Sequence, residues 1–441
     1  MSSGADPTRR GLLGLSAAAV AGCAATPAGG ANASMGSAPR ASDERAELDE
    51  LFADLTDQSG TVEPIAPAEY AARRTRLSER LRDLGLDAFL CEPGATMTYL
   101  SGVAWGTSER LFALVVTADG EHFWVVPAFE GPRARQRILA QAPPGAGEAT
   151  LITWDEHEYA FAPTAAALRE RRIERVAFDP RLRSFVREEL GAAHGHERLA
   201  YGKELVRAVR GCKDAHELRL MRRACELTQQ AIAAVADRLR PGMTGAEVGR
   251  WIRHAQERLG LRGTWALSLV GAEAAFPHGR DGTTQLERSG VLLIDTGGSL
   301  HGYQSDISRT WTFDGPPSTE VERVWLTVRD AQQQAFEALR PGRPCAEIDR
   351  LARRVIEDAG YGRGYESFFH RLGHGIGLEG HEEPYLDGGN ELLLAEGMTF
   401  SDEPGIYLYD RFGVRIEDIV VITATGADHF GGWQRSVTHP G

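Results

Sequence analysis

The sequence predicts an α+β protein with two domains after an N-terminal extension, and three observations support this. The chain has 441 residues, which is enough for two domains. In the first half, short apolar strands alternate with helical patterns, as is typical of an α/β domain. In the second half, one helix–turn–helix pattern occurs twice, which indicates an internal repeat. We therefore expect a smaller α/β domain at residues 43–205 and a larger domain at residues 206–441.

Residues 1–42 are expected to form an export signal and a flexible tether. Arg9 and Arg10 precede an apolar run too short to span a bilayer, and together they resemble a twin-arginine signal. The run ends in VAGC, which resembles a bacterial lipobox with Cys23 as the lipidated residue. The Ala-, Gly-, Pro- and Ser-rich residues 24–42 predict the tether. We expect an exported protein, periplasmic or anchored to a membrane only through Cys23, and a cytoplasmic protein if the signal interpretation is wrong.

Composition excludes several classes of function. The net charge is 49 − 62 = −13, which argues against nucleic acid as a partner, because phosphate binding needs a basic surface. Lysine occurs only at Lys203 and Lys213, so Schiff-base chemistry has almost no candidates. The cysteines that follow Cys23 show no metal-binding spacing and are predicted to be small buried apolar residues; they are Cys91, Cys212, Cys225 and Cys345.

The elements of the first domain are predicted by apolar runs between turn residues. A helical pattern covers Pro67 to Leu84, and a buried strand covers Asp87 to Cys91 before a Pro-Gly pair. Two strands, Phe112 to Thr117 and His122 to Val126, flank an Asp-Gly pair that predicts a hairpin. A further strand covers Arg175 to Pro180. We find no arrangement of residues in this domain that indicates catalysis.

The second domain begins with a helix capped by Asp214 that ends at Leu239. The Leu-Arg-Pro-Gly sequence at 239–242 recurs at 339–342, and the matching register continues to a glycine at 260 and at 360. This favours a duplicated unit folded about a pseudo-twofold axis, with a site between the copies. Turn chemistry shared by unrelated helices is the alternative.

The segment from Val291 to Thr312 is predicted to form two strands joined by a turn at Gly297 and Gly298. Asp295 would end the first strand and Asp306 would lie in the second. Two carboxylates buried on adjacent strands repel each other and are costly unless a cation lies between them. The alternative is a pair of hydrogen-bonded turn aspartates.

Three further segments place potential ligands beside glycine or apolar residues. They contain His374, in RLGHGIGLEGH; Glu403, after FSD; and Glu417, in GVRIED. With the two aspartates this gives four carboxylates and one imidazole, more than one cation needs and suited to two. Ligation dominated by oxygen favours Mn²⁺, with Co²⁺ or Zn²⁺ as alternatives. Residues 375–380 also fit GxGxxG, but no helical pattern follows, so we predict no dinucleotide site.

The segments IDTGGSLHGYQSDISRTW, GHGIGLEGHE, FSDEPGIY and GVRIED occur in one order between Cys212 and the C-terminus. In these the chain resembles the pita-bread metallopeptidases, peptidase family M24. That family includes Xaa-Pro dipeptidase (prolidase), aminopeptidase P, methionine aminopeptidase and creatinase. The resemblance implies a pita-bread, creatinase/aminopeptidase-like catalytic domain after a creatinase-like N-terminal domain.

The resemblance also implies roles for the candidate metal ligands. Asp295 would bind one metal, and Asp306 and Glu417 would bridge both. His374 and Glu403 would complete the second metal's ligands, and Glu403 would also carry a proton from the bridging water to the leaving amine.

Residues outside the metal ligands match the family as well. His278 and His381 would hydrogen-bond the scissile carbonyl and the oxyanion. Arg415 would anchor Glu417 or a substrate carboxylate. Tyr303 and Thr310 would support the ligands from behind.

The implied activity is hydrolysis of Xaa-Pro peptide bonds by a hydroxide held between two divalent metals. A dipeptidase acting as a homodimer is expected, with proline-containing di- or oligopeptides as substrates. The alternatives are aminopeptidase P activity on longer peptides, a non-peptide lyase or amidase on the same scaffold, and a binding protein without activity. Creatinase lacks the metal ligands that are complete here, which argues against that branch.

Overall fold

A computed structural model describes residues 41–145, 147–280 and 282–441. The expected export signal and Cys23 lie outside these residues. Among the described helices, none combines the length and apolar character needed to cross a membrane. Among the described residues, the contacts separate residues 41–47 from residues 48–441. The domain division at 205/206 stays a prediction.

The first part of the chain is built on a mixed six-stranded sheet, in the order β4-β3-β2-β1-β5-β6. Its elements are α1 Ala41–Leu51, α2 Pro67–Asp83, β1 Ala88–Cys91, α3 Ala95–Ser101, β2 Ala113–Thr117, β3 His122–Pro127, α4 Gly131–Ala140, β4 Leu151–Trp154, α5 Phe161–Glu170, β5 Val176–Phe178, α6 Ser184–His194, β6 Leu199–Tyr201 and α7 Lys203–Arg210. The predicted β2–β3 hairpin is confirmed. Neighbouring residues Phe89 and Leu90 lie in different apolar clusters, so both faces of the sheet are covered. This explains why β1 is apolar throughout and β2 is apolar up to its last residue, Thr117.

The second part consists of two helix pairs and the strands packed against them. Its elements are α8 Ala215–Ala236, α9 Gly245–Arg258, β7 Arg262–Val270, β8 Val291–Leu300, β9 Tyr303–Gln304, β10 Ile307–Thr312, α10 Thr319–Ala338, α11 Cys345–Asp358, β11 Gly373–Gly375, β12 Glu382–Leu386, β13 Thr399–Asp402, β14 Gly405–Leu408, β15 Phe412–Arg415, β16 Asp418–Ile422 and β17 Ala427–His429. One sheet has the order β10-β8-β7, with β9 beside β8. The other has the order β12-β11-β13-β16-β17, and β14 and β15 form a separate hairpin.

The repeat predicted from the sequence corresponds to the helix pairs α8–α9 and α10–α11. Asp214 caps α8 by accepting the backbone N–H groups of His216 and Glu217, as expected. The turns between the paired helices match, because Gly242 and Gly342 have φ values of 85° and 83°. Only glycine adopts this conformation without strain, so the two glycines give both turns the same shape.

The predicted turn at Gly297 and Gly298 is wrong. β8 continues through both glycines to Leu300, and the chain turns at His301 and Gly302, which have positive φ. A Cβ at Gly297 would lie 2.0 Å from the carbonyl oxygen of Ser305. These glycines therefore permit close approach of backbone, which a local sequence pattern does not distinguish from a turn.

The cysteine prediction is correct for Cys91, Cys225 and Cys345, which are buried, and wrong for Cys212, which is exposed. Cys212 lies in the connection between α7 and α8, where its backbone pairs with that of Met398 and its side chain is left outside the core. These four cysteines are free thiols.

Candidate metal centre

All of the predicted site residues line one cavity of about 580 Å³. The cavity is enclosed by residues of both sheets of the second part and of the β14–β15 hairpin. The predicted residues on its wall are His278, Asp295, Asp306, His374, His381, Glu403, Arg415 and Glu417.

Each candidate ligand lies within a strand or directly next to one. Asp295 lies within β8, opposite the β10 residue Ser308. Asp306 directly precedes β10, and His374 is the central residue of β11. Glu403 directly follows β13, and Glu417 lies between β15 and β16. Hydrogen-bonded backbone on every side fixes the positions from which these side chains enter the cavity.

The ligand atoms form three overlapping groups, of which one contains Asp306, His374 and His381 and the other two share Glu417. His374 Nε2 lies 3.6 Å from Asp306 Oδ2, 3.5 Å from Glu403 Oε1 and 3.9 Å from Glu417 Oε1. These distances are too long for hydrogen bonds. Ligand atoms of His374, Glu403 and Glu417 lie within 4.8 Å of one another, as do those of Asp295, Asp306 and Glu417. Glu417 belongs to both groups and can therefore serve two cations.

We call Asp295, Asp306, Glu403 and Glu417 the acidic cluster. Burial, followed by the neighbouring carboxyl groups, holds the pKa of Asp306 and of Glu417 well above the ordinary range. Burial raises the pKa of Glu403 to about 8, against an opposing effect of Arg415. Burial also lowers the pKa of His374 to about 3, so its imidazole is neutral, the form that binds metals.

Arg415 is a buried cation beside the acidic cluster, and its guanidinium donates hydrogen bonds to four other groups of the protein. It donates to Asp295 Oδ2 at 2.6 Å and to Ser308 Oγ at 2.9 Å. It also donates to the Pro277 carbonyl at 3.1 Å and to the Tyr407 hydroxyl at 2.9 Å. The structure thus places Arg415 directly on Asp295, a contact that sequence reasoning did not identify.

Hydroxyl groups behind the cavity wall orient the candidate ligands. Ser308 Oγ donates to Glu417 Oε2 at 2.8 Å and so links Arg415 to Glu417. Thr310 Oγ1 donates to the backbone carbonyl of Arg415 at 2.8 Å, consistent with the supporting position expected for it. Tyr303 makes no such contact with a candidate ligand through its hydroxyl. That hydroxyl donates to Glu217 and accepts from a buried arginine, Arg73.

His278 and His381 are both exposed on the cavity wall. The imidazole of His381 stacks on that of His374, with ring centroids 3.8 Å apart. Partial loss of solvent around the ring, and then the charge of Arg371, lower the pKa of His381. A neutral imidazole at this place can donate one hydrogen bond to a substrate oxygen.

The residue after His381 anchors this wall to other parts of the chain. Glu382 is buried and accepts from Lys213 at 2.8 Å and from Arg210 at 2.7 Å. We call Glu382, Arg210 and Lys213 the Glu382 cluster. Arg210 ends α7, the last helix of the first part, and Lys213 lies in the connection to α8, so the cluster holds the His381 segment against the junction of the two parts.

Sequence reasoning missed several residues of the cavity wall. Trp265 and Leu267 of β7 give it an apolar side. His370 and Arg371 precede His374 by four and three residues, and His370 Nε2 lies 2.7 Å from the Tyr407 hydroxyl. The proximity of His370 and Arg371 to His374 in the sequence was a usable signal.

The residues present fit divalent cations. Oδ1 of Asp295 is buried and has no hydrogen-bond partner among the described residues. A buried carboxylate oxygen without a partner is costly unless a cation contacts it. Carboxylates with one neutral imidazole are ligands typical of hard divalent ions.

Comparisons with known proteins agree with this geometry. Residues 219–424 match the model of metallopeptidase family M24, and residues 73–212 match the creatinase/prolidase N-terminal domain. An Xaa-Pro dipeptidase of Lactobacillus delbrueckii subsp. lactis is 32% identical over 369 residues, covering 80% of this chain and 95% of the relative.

Solved structures show the same similarity. Dipeptidase PepE from Mycobacterium ulcerans superposes with a TM-score of 0.78 at 33% identity, covering 86% of this chain and 99% of that one. A prolidase from Thermococcus sibiricus gives a TM-score of 0.73 at 28% identity, covering 84% and 99%. The predicted α+β fold, a creatinase-like N-terminal domain followed by a pita-bread domain, is confirmed. The chain belongs to metallopeptidase family M24.

Proposed function

We propose that the protein hydrolyses Xaa-Pro dipeptides with two bound divalent cations, Mn²⁺ being favoured. The observation that carries this proposal is the pair of overlapping ligand groups sharing Glu417 in one cavity. The similarity to proteins named Xaa-Pro dipeptidase, dipeptidase and prolidase supports the substrate class.

The five candidate ligands divide into residues that would contact both cations and residues that would contact only one. Asp306 and Glu417 would contact both cations, Asp295 would hold one of them, and His374 and Glu403 would hold the other. When bound, the cations would supply Lewis-acid activation of a water molecule and of the scissile carbonyl. Arg415 fixes Asp295 directly and Glu417 through Ser308, so the ligands are oriented before any cation arrives.

Glu403 is the proposed proton carrier. Its Oε1 accepts from Ser401 at 3.1 Å, which fixes the carboxyl group at the edge of the cavity. The carboxylate would take a proton from the attacking water and deliver it to the proline nitrogen as the bond breaks. An Xaa-Pro bond is a tertiary amide without an N–H, so protonation of its nitrogen is needed for the amine to leave.

His278 and His381 are the proposed partners of the substrate oxygen. They lie on the open side of the cavity, where a peptide can reach them. A hydrogen bond that strengthens as the carbonyl oxygen gains charge lowers the barrier, and losing one such donor costs about 2.7–4 kcal/mol.

Hydrolysis of Ala-Pro and Leu-Pro tests the proposal. Protein stripped with EDTA and reloaded with Mn²⁺, Co²⁺ or Zn²⁺ should cut both dipeptides, with Ala-Ala and an Xaa-Pro tripeptide as comparison substrates. The stripped protein should be inactive. Activity that survives complete metal removal, or no Xaa-Pro hydrolysis with any of these ions, would contradict the proposal. Faster cleavage of the tripeptide would assign the alternative aminopeptidase P activity.

We further propose, from the sequence alone, export through the twin-arginine signal, lipidation of Cys23 and a homodimer. Mass spectrometry of the mature N-terminus in the native host distinguishes a lipidated Cys23 from an intact Met1. Light scattering of the soluble chain gives the oligomeric state.

A further inference from the structure

The side chain of His381 is exposed on the cavity wall, and its own contacts do little to hold it. Apart from stacking on His374, its ring has no hydrogen bond or ion pair among the described residues. Residues 377–381 lie outside the strands and include two glycines, Gly377 and Gly380. The place of the imidazole therefore depends on the contacts that hold residues 377–381.

Glu379 supplies the side chain that ties these residues down. Its Oε1 lies 2.8 Å from Nε of Arg181, and its Oε2 lies 2.9 Å from Nη2 of Arg210. A guanidinium thus contacts each oxygen of a carboxylate whose side chain is only 20% exposed. Arg181 also donates to the backbone carbonyl of His381 at 3.4 Å. One guanidinium therefore contacts both Glu379 and the residue that carries the imidazole.

Both arginines belong to the first part of the chain. Arg181 lies in the connection between β5 and α6, and Arg210 ends α7. Both fall within the creatinase-like N-terminal domain. Glu379 lies in the second part, between β11 and β12. The contact therefore runs from the N-terminal domain to the loop that places His381 beside the candidate ligands.

A second ion pair lies on the other side of His381 and provides a comparison. Glu383 follows His381 by two residues, as Glu379 precedes it by two, and it lies 2.7 Å from Lys203 of α7. Glu383 is part of β12, which pairs with β11 through the backbone. Because that pairing keeps β12 in place, the contact of Glu379 should matter more to His381 than the contact of Glu383.

We propose that Glu379 is a positioning residue for His381. Arg181 and Arg210 act with it, because they hold its carboxylate from the N-terminal domain. This inference rests on the role proposed above for His381 as a partner of the substrate oxygen. A displaced imidazole loses a hydrogen bond that is strongest in the transition state, so the effect falls on kcat and not on KM. The N-terminal domain thereby contributes to the rate, although none of its described residues lines the cavity.

Hydrolysis of Leu-Pro by the Mn²⁺-loaded full chain tests the inference. Glu379→Gln should lower kcat at least about fivefold, within the ~100-fold loss that a misplaced group can cause, and change KM less than about threefold. Glu383→Gln is the matched control and should change neither. Arg181→Gln should also lower kcat, by a smaller factor because Arg210 still holds Glu379. An unchanged kcat in that variant would remove Arg181 from the proposal.

A double-mutant cycle separates positioning from a general loss of structure. In the His381→Ala background, Glu379→Gln should lower kcat less than about twofold, because the imidazole that it positions is already absent. An equal loss in both backgrounds, or no loss when His381 is present, would overturn the role of Glu379. Arg181 is 66% exposed, so a cycle of Arg181→Gln with His381→Ala replaces this one if Glu379→Gln does not fold.

If the wild-type protein hydrolyses no Xaa-Pro dipeptide, the proposed function is wrong, and nuclear magnetic resonance still decides the inference. The Cε1 signal of His381, in Zn²⁺-loaded protein labelled on histidine, is identified by its absence from His381→Ala. Glu379→Gln should shift or broaden this signal, and Glu383→Gln should leave it unchanged. A signal that is the same in wild type and Glu379→Gln, or that shifts equally in the two variants, would overturn the inference.

Discussion

The acidic cluster and the Glu382 cluster both contain buried carboxyl groups, yet the pKa values of Asp306 and Glu417 shift in the direction opposite to that of Glu382. Burial alone would raise the pKa of Glu382, but Lys213 and Arg210 lower it below the ordinary range. Burial and carboxyl neighbours raise the pKa of Asp306 and Glu417 well above it. The Glu382 cluster contains its own cations, whereas the acidic cluster has too few. We conclude that the acidic cluster needs cations from outside the chain to balance its charge.

The largest effect is expected when the Glu382 cluster is broken. Glu382→Gln leaves Lys213 and Arg210 buried with too little negative charge beside them, although Arg210 keeps Glu379 at 2.9 Å. Removing one partner of a buried ion pair costs about 3–5 kcal/mol. Urea unfolding in EDTA should show a loss of this size in the free energy of unfolding. A loss below about 1 kcal/mol would mean that these charges are solvated.

The acidic cluster should respond in the opposite way when cations are absent. Asp306→Asn removes one of several repelling acids, so in EDTA the variant should be more stable than wild type. With Mn²⁺ present the order should reverse, because only wild type binds both cations. Urea unfolding in the two buffers measures the free energy of unfolding of both proteins. An Asp306→Asn variant that is less stable than wild type in both buffers would contradict the claim that the acidic cluster lacks balancing charge.

The two clusters should also differ in their response to pH. The folded pKa of Glu382 lies below its unfolded value of about 4.3, so the unfolded chain binds more protons between the two. The stability that Glu382 adds should be complete above about pH 4.3 and lost as the pH falls through the folded pKa. The free-energy difference between wild type and Glu382→Gln in EDTA should therefore shrink on acidification, by no more than about 1.4 kcal/mol per pH unit. A difference that grows on acidification would mean that folding raises the pKa of Glu382 and does not lower it.

The smallest effect is expected at the next residue. Glu383 pairs with Lys203 at 2.7 Å, but the two side chains are 36% and 41% exposed. Exposed ion pairs contribute about 0–1 kcal/mol. Glu383→Gln is therefore a control on the same strand, and a loss as large as that of Glu382→Gln would show that burial does not govern the effect.

The sequence predicted the helices, the strands and the candidate ligands better than it predicted which distant residues contact each other. Helix caps and hairpin signals act over a few residues, so α8 and the β2–β3 hairpin were predictable. The contact between Arg415 and Asp295 joins residues 120 positions apart, and no local pattern encodes it. Gly297 failed as a turn residue because its role depends on Ser305, across the sheet.

Metal-dependent recovery of Leu-Pro hydrolysis in EDTA-stripped protein tests the central claim most directly. Rate and bound metal, the latter by inductively coupled plasma mass spectrometry, are measured on the same samples as Mn²⁺ is added. We predict no hydrolysis in the absence of metal and a rate that reaches its maximum at about two ions per chain. A full rate in samples that contain no divalent metal would contradict the claim that outside cations complete the acidic cluster.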